Sequence, residues 1–248
     1  MYKIIKKIVE GPVKYIFRIF GLEVTAFNGA MSDYSILYRI IRNNDIDLIV
    51  DVGANVGQYA SLVGSIGYKN QIFSIEPLND AHEILCKKSE RDFKWKVLPR
   101  TAIGDSKGSV TINKSNNSVS SSILNILPIH INSEESSSYV SSEVVSLERL
   151  DSFLAEFIDE SHKNIFLKID TQGFEDEVLN GASNILSRIN FIQCELSLRP
   201  LYENQKLIED IILKLRSYGF TLVAIAPGFK DPHSKELLQC DGFFARLS

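Results

Sequence analysis

The run Asp51-Val52-Gly53-Ala54-Asn55-Val56-Gly57 closes a short apolar segment and opens one of helical spacing. Two glycines at such a junction allow a sharp turn and let a ligand come close to the main chain. A dinucleotide cradle needs G-x-G-x-x-G, whereas Gly53 is followed by Ala54-Asn55, and no Gly-Lys-Ser/Thr follows to make a phosphate loop. Nineteen residues beyond Gly57 stands Glu76, followed by Pro77. An acid at the end of a second strand can accept both hydroxyls of a ribose. Further on, Asp170 and Glu195 each end an apolar run, and a carboxylate there can take a proton from a bound hydroxyl or orient it.

These residues are placed by alternating strands and helices. Asp47 to Asp51 reads as a first buried strand, and Tyr59, Leu62, Val63 and Ile66 as the stripe of the helix behind it. Gln71 to Glu76 is a second strand, Ala81, Ile84 and Leu85 mark a helix, and Lys94 to Thr101 a third strand. Between Ser115 and Ser142 eleven serines predict a long loop or lid. The stripe Leu147, Leu150, Phe153, Leu154 and Phe157 predicts a helix. Strands follow at 165–170, 190–195, 220–225 and 240–246, with helices through Val178 to Ile185 and Ile208 to Leu215. That pattern predicts a parallel sheet covered by helices on both faces, with ligands beyond the carboxyl ends of its strands.

Composition narrows the partners. With 248 residues, 44 % of them hydrophobic, the chain can bury a full core, and 27 basic against 31 acidic residues give a net charge of −4. A nucleic-acid binder needs a basic field, so a small molecule or glycan is the expected partner. Cys86, Cys194 and Cys240 form no CxxC pair, and His82, His130, His162 and His233 no HxH or HxxxH pair, so neither a disulfide framework nor a zinc site is signalled. No run approaches the length of a membrane span, and the start lacks a signal-peptide pattern, so a cytoplasmic location is expected. Within residues 1–20, however, Lys3, Lys6, Lys7, Lys14 and Arg18 face only Glu10, and apolar residues recur at helical spacing. This segment suits a helix against anionic lipid at the inner membrane face, or one packed on the sheet or a subunit.

The turn at 51–57 together with Glu76 has the spacing of an S-adenosylmethionine site, with Asp51 available to the ammonium group directly or through water. The chain further resembles the FkbM family of S-adenosylmethionine-dependent methyltransferases. The resemblance rests on this turn, Ile75-Glu76-Pro77, Ala102-Ile103-Gly104-Asp105, the Ser121-Ser122 pair, Val145 to Asp151, the block Leu167-Lys168-Ile169-Asp170-Thr171-Gln172-Gly173-Phe174-Glu175 with Val178 to Ala182, and Cys240-Asp241-Gly242-Phe243-Phe244. It covers residues from about 45 to the end, which sets a methyltransferase domain at 45–248 behind an N-terminal helical extension at 1–44. Thr171 and Leu147-Glu148-Arg149-Leu150 depart from the family pattern.

The resemblance implies a Rossmann-like class I methyltransferase fold, a seven-stranded mostly parallel sheet flanked by helices in the order 3-2-1-4-5-7-6. It implies S-adenosylmethionine as cofactor, with Asp51, Gly53, Ala54, Asn55, Gly57, Glu76, Pro77 and Ala102 at its site. It further implies O-methylation of a saccharide or glycolipid precursor, a polyketide or other secondary-metabolite hydroxyl being the alternative. A noncatalytic cofactor-binding or membrane-associated partner is a reading from another class. Asp170 is the candidate base or acceptor-orienting group, unless it caps the helix beginning near Gly173. Glu195 is the candidate to hold a sugar hydroxyl, and His130 or His233 an alternative base. The two carboxylates could instead hold Mg²⁺, which the sequence does not require. Lys168 leaves the same strand face as Asp170 and either pairs with Asp170 or Glu195 or is solvated at an edge.

Overall fold

The structure is a computed structural model that describes residues 14–17, 19–20 and 32–246. In chain order its elements are α1 (Asp33–Asn43), β1 (Leu48–Val52), α2 (Gln58–Ser65), β2 (Gln71–Ile75), α3 (Asn79–Ser89) and β3 (Trp95–Val97). Then come β4 (Ala102–Gly104), β5 (Gly108–Ser115), α4 (Pro128–Ser133), β6 (Tyr139–Arg149) and α5 (Leu150–Leu154). The chain continues through β7 (Ile165–Ile169), α6 (Glu175–Gly181), β8 (Ile189–Ser197), α7 (Ile208–Ser217), β9 (Phe220–Pro227) and β10 (Gln239–Arg246).

The main sheet has seven strands in the order β3-β2-β1-β7-β8-β10-β9. The first five in that order run parallel, and β10 inserts antiparallel to both β8 and β9, as the resemblance implies. Every residue of β1 and β7 is buried, as central parallel strands require. Side-chain alternation sorts them between two cores. Leu48, Val50, Val52, Ile165, Leu167 and Ile169 enter the larger core, while Ile49 and Phe166 join the side chains of α1 and α2 on the other face. Asp51 and Lys168 continue that second row, and they are direct neighbours in the β1–β7 register. Gln193 and Glu195 of β8 and Asp241 of β10 extend it by the same parity, Glu195 lying opposite Asp241. A single face thus turns from apolar to polar at the carboxyl ends of its strands.

Ser32 caps α1 through its side chain, and Ile36, Leu37 and Ile40 are buried in the second core, so residues 33–43 of the expected extension are part of the main packing. Of the expected basic helix at 1–20, residues 14–17 and 19 are helical, and Tyr15, Ile16, Phe17, Ile19 and Phe20 are exposed; the rest lies outside the described residues. No helix among the described residues is long and apolar enough to cross a membrane.

Three expectations need correction. The serine-rich stretch carries structure: β5 pairs antiparallel with β6 and β4 parallel with it in a second, three-stranded sheet, and α4 lies between. Serines hide this because little of β6 is buried, Val145 and Leu147 being its buried residues. The helix expected from Leu147 to Phe157 shrinks to α5, since Leu147 and Arg149 are claimed by the β6 ladder. The third strand of the main sheet is likewise only Trp95–Val97, because Ala102–Gly104 turns away to pair with β6.

Candidate active site

The β1–α2 turn is built to touch two neighbours at once. Gly53 has φ +83°, and a Cβ there would collide with the Asp170 carbonyl oxygen, so only glycine lets the two loops meet. The amides of Gly53 and Ala54 donate to the Ile75 carbonyl at 3.1 and 3.0 Å. Asn55, also left-handed at φ 46°, donates its amide to Glu76 Oε2 at 2.7 Å, while Leu78 donates to Oε1 at 2.8 Å. Glu76 is thereby fixed at the end of β2, and burial pushes its carboxyl up to about 7 against those two donors. Gly57 plays a different part from the one expected. It lies off the cavity wall, and its missing side chain makes room for the Trp95 ring, which a Cβ would meet at 2.6 Å.

A cavity of about 550 Å³ opens over the carboxyl ends of the strands. Gly53, Ala54, Asn55, Glu76, Pro77 and Ala102 all line it on the β1–β2 side. Asp170 and Glu195 line it on the other, with Ser121 and Ser122 of the serine-rich loop forming part of the wall. Asp51 does not. It is fully buried with no hydrogen-bond partner for either oxygen, 3.8 Å from Lys168 Nζ, and its carboxyl is pushed up to about 6, chiefly by burial. Its charged neighbour on the cavity wall is Lys168.

Lys168 is buried, not solvated at an edge. Its ammonium donates to Asp170 Oδ2 at 2.9 Å and lies over the Tyr59 ring at 5.1 Å. Burial opposes its charge, but the Asp170 and Asp51 carboxylates hold it protonated. Burial likewise opposes ionisation of Asp170, yet Lys168 and then Gln172 keep its carboxyl below the usual range. Glu195 goes the other way: burial, then the charges of Asp170, Glu175 and Asp241, push it well above. Two neighbouring carboxyl groups are therefore pushed in opposite directions, Asp170 toward its charged form and Glu195 toward its neutral form.

Asp170 is not the helix cap. The amides of Thr171 and Gly173 donate instead to Glu175, which folds back over the first turn of α6. Gln172 Nε2 bridges the two candidate carboxylates, 2.7 Å from Asp170 Oδ1 and 3.0 Å from Glu195 Oε2. The oxygens that Mg²⁺ would share are thus joined by an amide, and among the described residues no group of three His, Cys, Asp or Glu could hold a metal ion. His130 is buried, lines the cavity and packs against Tyr202 and Phe229; burial pulls its ring down to about 4, so it is neutral near pH 7. His233 is exposed and off the cavity.

Sequence reasoning does not single out Gln172, Gln193, Tyr202, Asp241 or Asp33, all of which line the cavity or hold a residue that does. Gln172 and Asp241 lie inside segments that carry the resemblance, so their motif position is an available signal. Asp33 and Tyr202 reach the site only through packing.

The donor set suits the expected cofactor. A pinned acid can accept hydroxyls, Leu78, Ala102 and Ile103 offer apolar surface to a flat base, and a glycine turn leaves room beside anionic Asp170 for a cationic group. Sheet order and site together define a class I, S-adenosylmethionine-dependent methyltransferase. The chain belongs to the methyltransferase FkbM domain family, matched over residues 51–222. It is 27 % identical to the hexuronic acid methyltransferase AglP of Haloferax volcanii over 150 residues, 60 % of this chain and 56 % of that protein. The matched region therefore spans little more than half the length of that relative. Among solved structures, the METTL16 methyltransferase domain aligns with a TM-score of 0.49 at 10 % identity, covering 87 % of this chain and 65 % of that one. Fibrillarin of Aeropyrum pernix with bound S-adenosylmethionine aligns at 0.47 and 9 %, covering 81 % and 66 %.

Proposed function

We propose that the protein transfers a methyl group from S-adenosylmethionine to a hydroxyl of a saccharide or glycolipid precursor. The observation that carries this reading is Asp170, on the wall of the same cavity as Glu76 and held by the Lys168 ammonium at 2.9 Å. When bound, S-adenosylmethionine supplies the electrophilic methyl group. Asp170 takes the hydroxyl proton as the new C–O bond forms and the methyl carbon–sulfur bond breaks, its electron pair staying on the sulfur of departing S-adenosylhomocysteine, a contribution of typically ~10²–10⁴-fold. Glu195, protonated, orients the acceptor through a second hydroxyl, and the enclosed cavity holds the reacting oxygen in line. The name of the Haloferax volcanii relative supports a sugar-related acceptor.

The charge of the cavity supports an acceptor without phosphates nearby. Asp33, Glu76, Glu134, Asp170, Glu195 and Asp241 line it, and among the described residues Lys168 is its one lysine or arginine, which argues against nucleic acid. Free Cys86, Cys194 and Cys240 support a reducing, cytoplasmic setting. The exposed Tyr15, Ile16, Phe17, Ile19 and Phe20 within a basic segment support contact with the inner membrane face. Sedimentation with anionic vesicles tests the last point, and loss of partitioning on removing residues 1–24 is expected.

Calorimetric titration with S-adenosylmethionine and S-adenosylhomocysteine tests the cofactor reading. Both ligands should bind, and Glu76→Ala should weaken both by about tenfold or more. Absence of binding to the folded wild type overturns the assignment.

A further inference from the structure

Gln172 has no role in the reaction as set out so far, yet its side chain makes three hydrogen bonds at the site and its backbone is held as well. Its backbone is in the left-handed region at φ 55°, which a residue other than glycine adopts at a cost. The Ser122 hydroxyl donates to its carbonyl at 2.6 Å, and Gly173 follows it at φ 98°. At the far end, the hydroxyl of Tyr202, a fully buried ring, lies 2.9 Å from Gln172 Oε1. The Asp170 carboxylate sets which way the amide points: flipped, Oε1 would face that carboxylate, whereas the Tyr202 hydroxyl, which also has the Ser120 carbonyl at 3.2 Å, can serve either end of the amide.

We propose that Gln172 is a positioning residue for methyl transfer: held at its far end by Tyr202, its amide ties Asp170 Oδ1 to Glu195 Oε2 and presents the two as one fixed base-and-donor pair. The inference rests on the role given above to Asp170. An amide suits the task because it donates two hydrogens and does not titrate, so the bridge persists whichever carboxyl holds the proton. Lys168 already occupies Asp170 Oδ2, so the bridge through Oδ1 leaves the carboxylate little freedom to rotate. The charged and titratable groups that interact with Asp170 are Lys168 at the end of β7, Asp51 from β1, Glu76 after β2, Glu175 from α6, Glu195 from β8 and Asp241 from β10. Gln172 is the uncharged member that couples two of them.

Carboxyl ¹³C NMR of the full chain labelled at Asp and Glu, titrated without acceptor, reads this coupling directly. Gln172→Leu keeps the bulk and removes both donors. The Asp170 titration should move up by about one pH unit in this variant. Once an acceptor is in hand, kcat should fall about 10–100-fold with KM and cofactor affinity nearly unchanged, since the lost interaction acts through the base. Tyr202→Phe, which leaves the bridge in place but frees the amide to turn, should shift Asp170 in the same direction by less, and it decides the matter if Gln172→Leu does not fold. An unmoved Asp170 titration in a folded variant overturns the inference, as does an equal loss of cofactor affinity and kcat. Wild-type protein that binds no S-adenosylmethionine while Asp170 still responds to Gln172 would refute the proposed function and leave the coupling standing.

Discussion

Lys168 Nζ donates to Asp170 Oδ2 at 2.9 Å, both side chains leaving the same face of the chain two residues apart. The same ammonium is the charged neighbour of Asp51, which has no hydrogen bond of its own. Removing one partner from a buried ion group leaves the others uncompensated, at a cost of about 3–5 kcal/mol. Lys168→Met should therefore lower unfolding stability by about that amount at pH 8. The loss should shrink at pH 5, where Asp51 and Asp170 can neutralise themselves by protonation. Urea denaturation at the two pH values checks both parts.

Gly53 and Gly67 make a matched pair. Both have positive φ, 83° and 92°, but a Cβ on Gly53 meets the Asp170 carbonyl and one on Gly67 meets nothing within 4 Å. Gly67→Ala should cost only the backbone strain, about 1–3 kcal/mol. Gly53→Ala should cost more and also abolish S-adenosylmethionine binding, because the β1–α2 turn and the Asp170 loop must separate. Denaturation curves and calorimetry on the two variants distinguish the close approach from the conformation.

Burial raises the carboxyls of Glu76, Glu175 and Asp241 each to about 7, and that of Asp51 to about 6. An acid with a raised folded value binds its proton more tightly when folded, so the native state loses stability as pH climbs from the unfolded value through the folded one. His130, held down to about 4, works the other way between there and its ordinary value near 6.5. With Glu195, also pushed up, five acids oppose one histidine, and above pH 6.5 the histidine no longer contributes. The melting temperature should decline between pH 5 and pH 8. Glu175→Gln, which keeps an oxygen for the Thr171 and Gly173 amides, should flatten that decline; a melting temperature that rises across the range would contradict the buried-acid cluster.

The main sheet and the cofactor turn are legible in the sequence because both depend on local signals. Five-residue segments with four apolar residues mark β1 and β7, and Gly53 must be glycine where it stands. The distance of Glu76 from that turn singles it out. The second sheet is hidden because β5 and β6 bury few residues, so alternation is faint where serine is the common residue. The packing role of Gly57 is equally hidden, because its partner, Trp95, is 38 residues away and nothing local distinguishes a packing glycine from a ligand-facing one. Tyr202 and Asp33 belong to the site through tertiary packing alone, which no spacing in the chain records.

Methyl transfer itself gives the most direct test. Purified protein, S-adenosylmethionine labelled in its methyl group, and a panel of saccharide and lipid-linked sugar acceptors should yield a labelled methyl ether. Asp170→Asn should reduce its formation by about 10²–10⁴-fold without loss of cofactor binding. Undiminished transfer by Asp170→Asn, or label recovered in a base-labile carboxyl ester, would contradict hydroxyl methylation with Asp170 as the base.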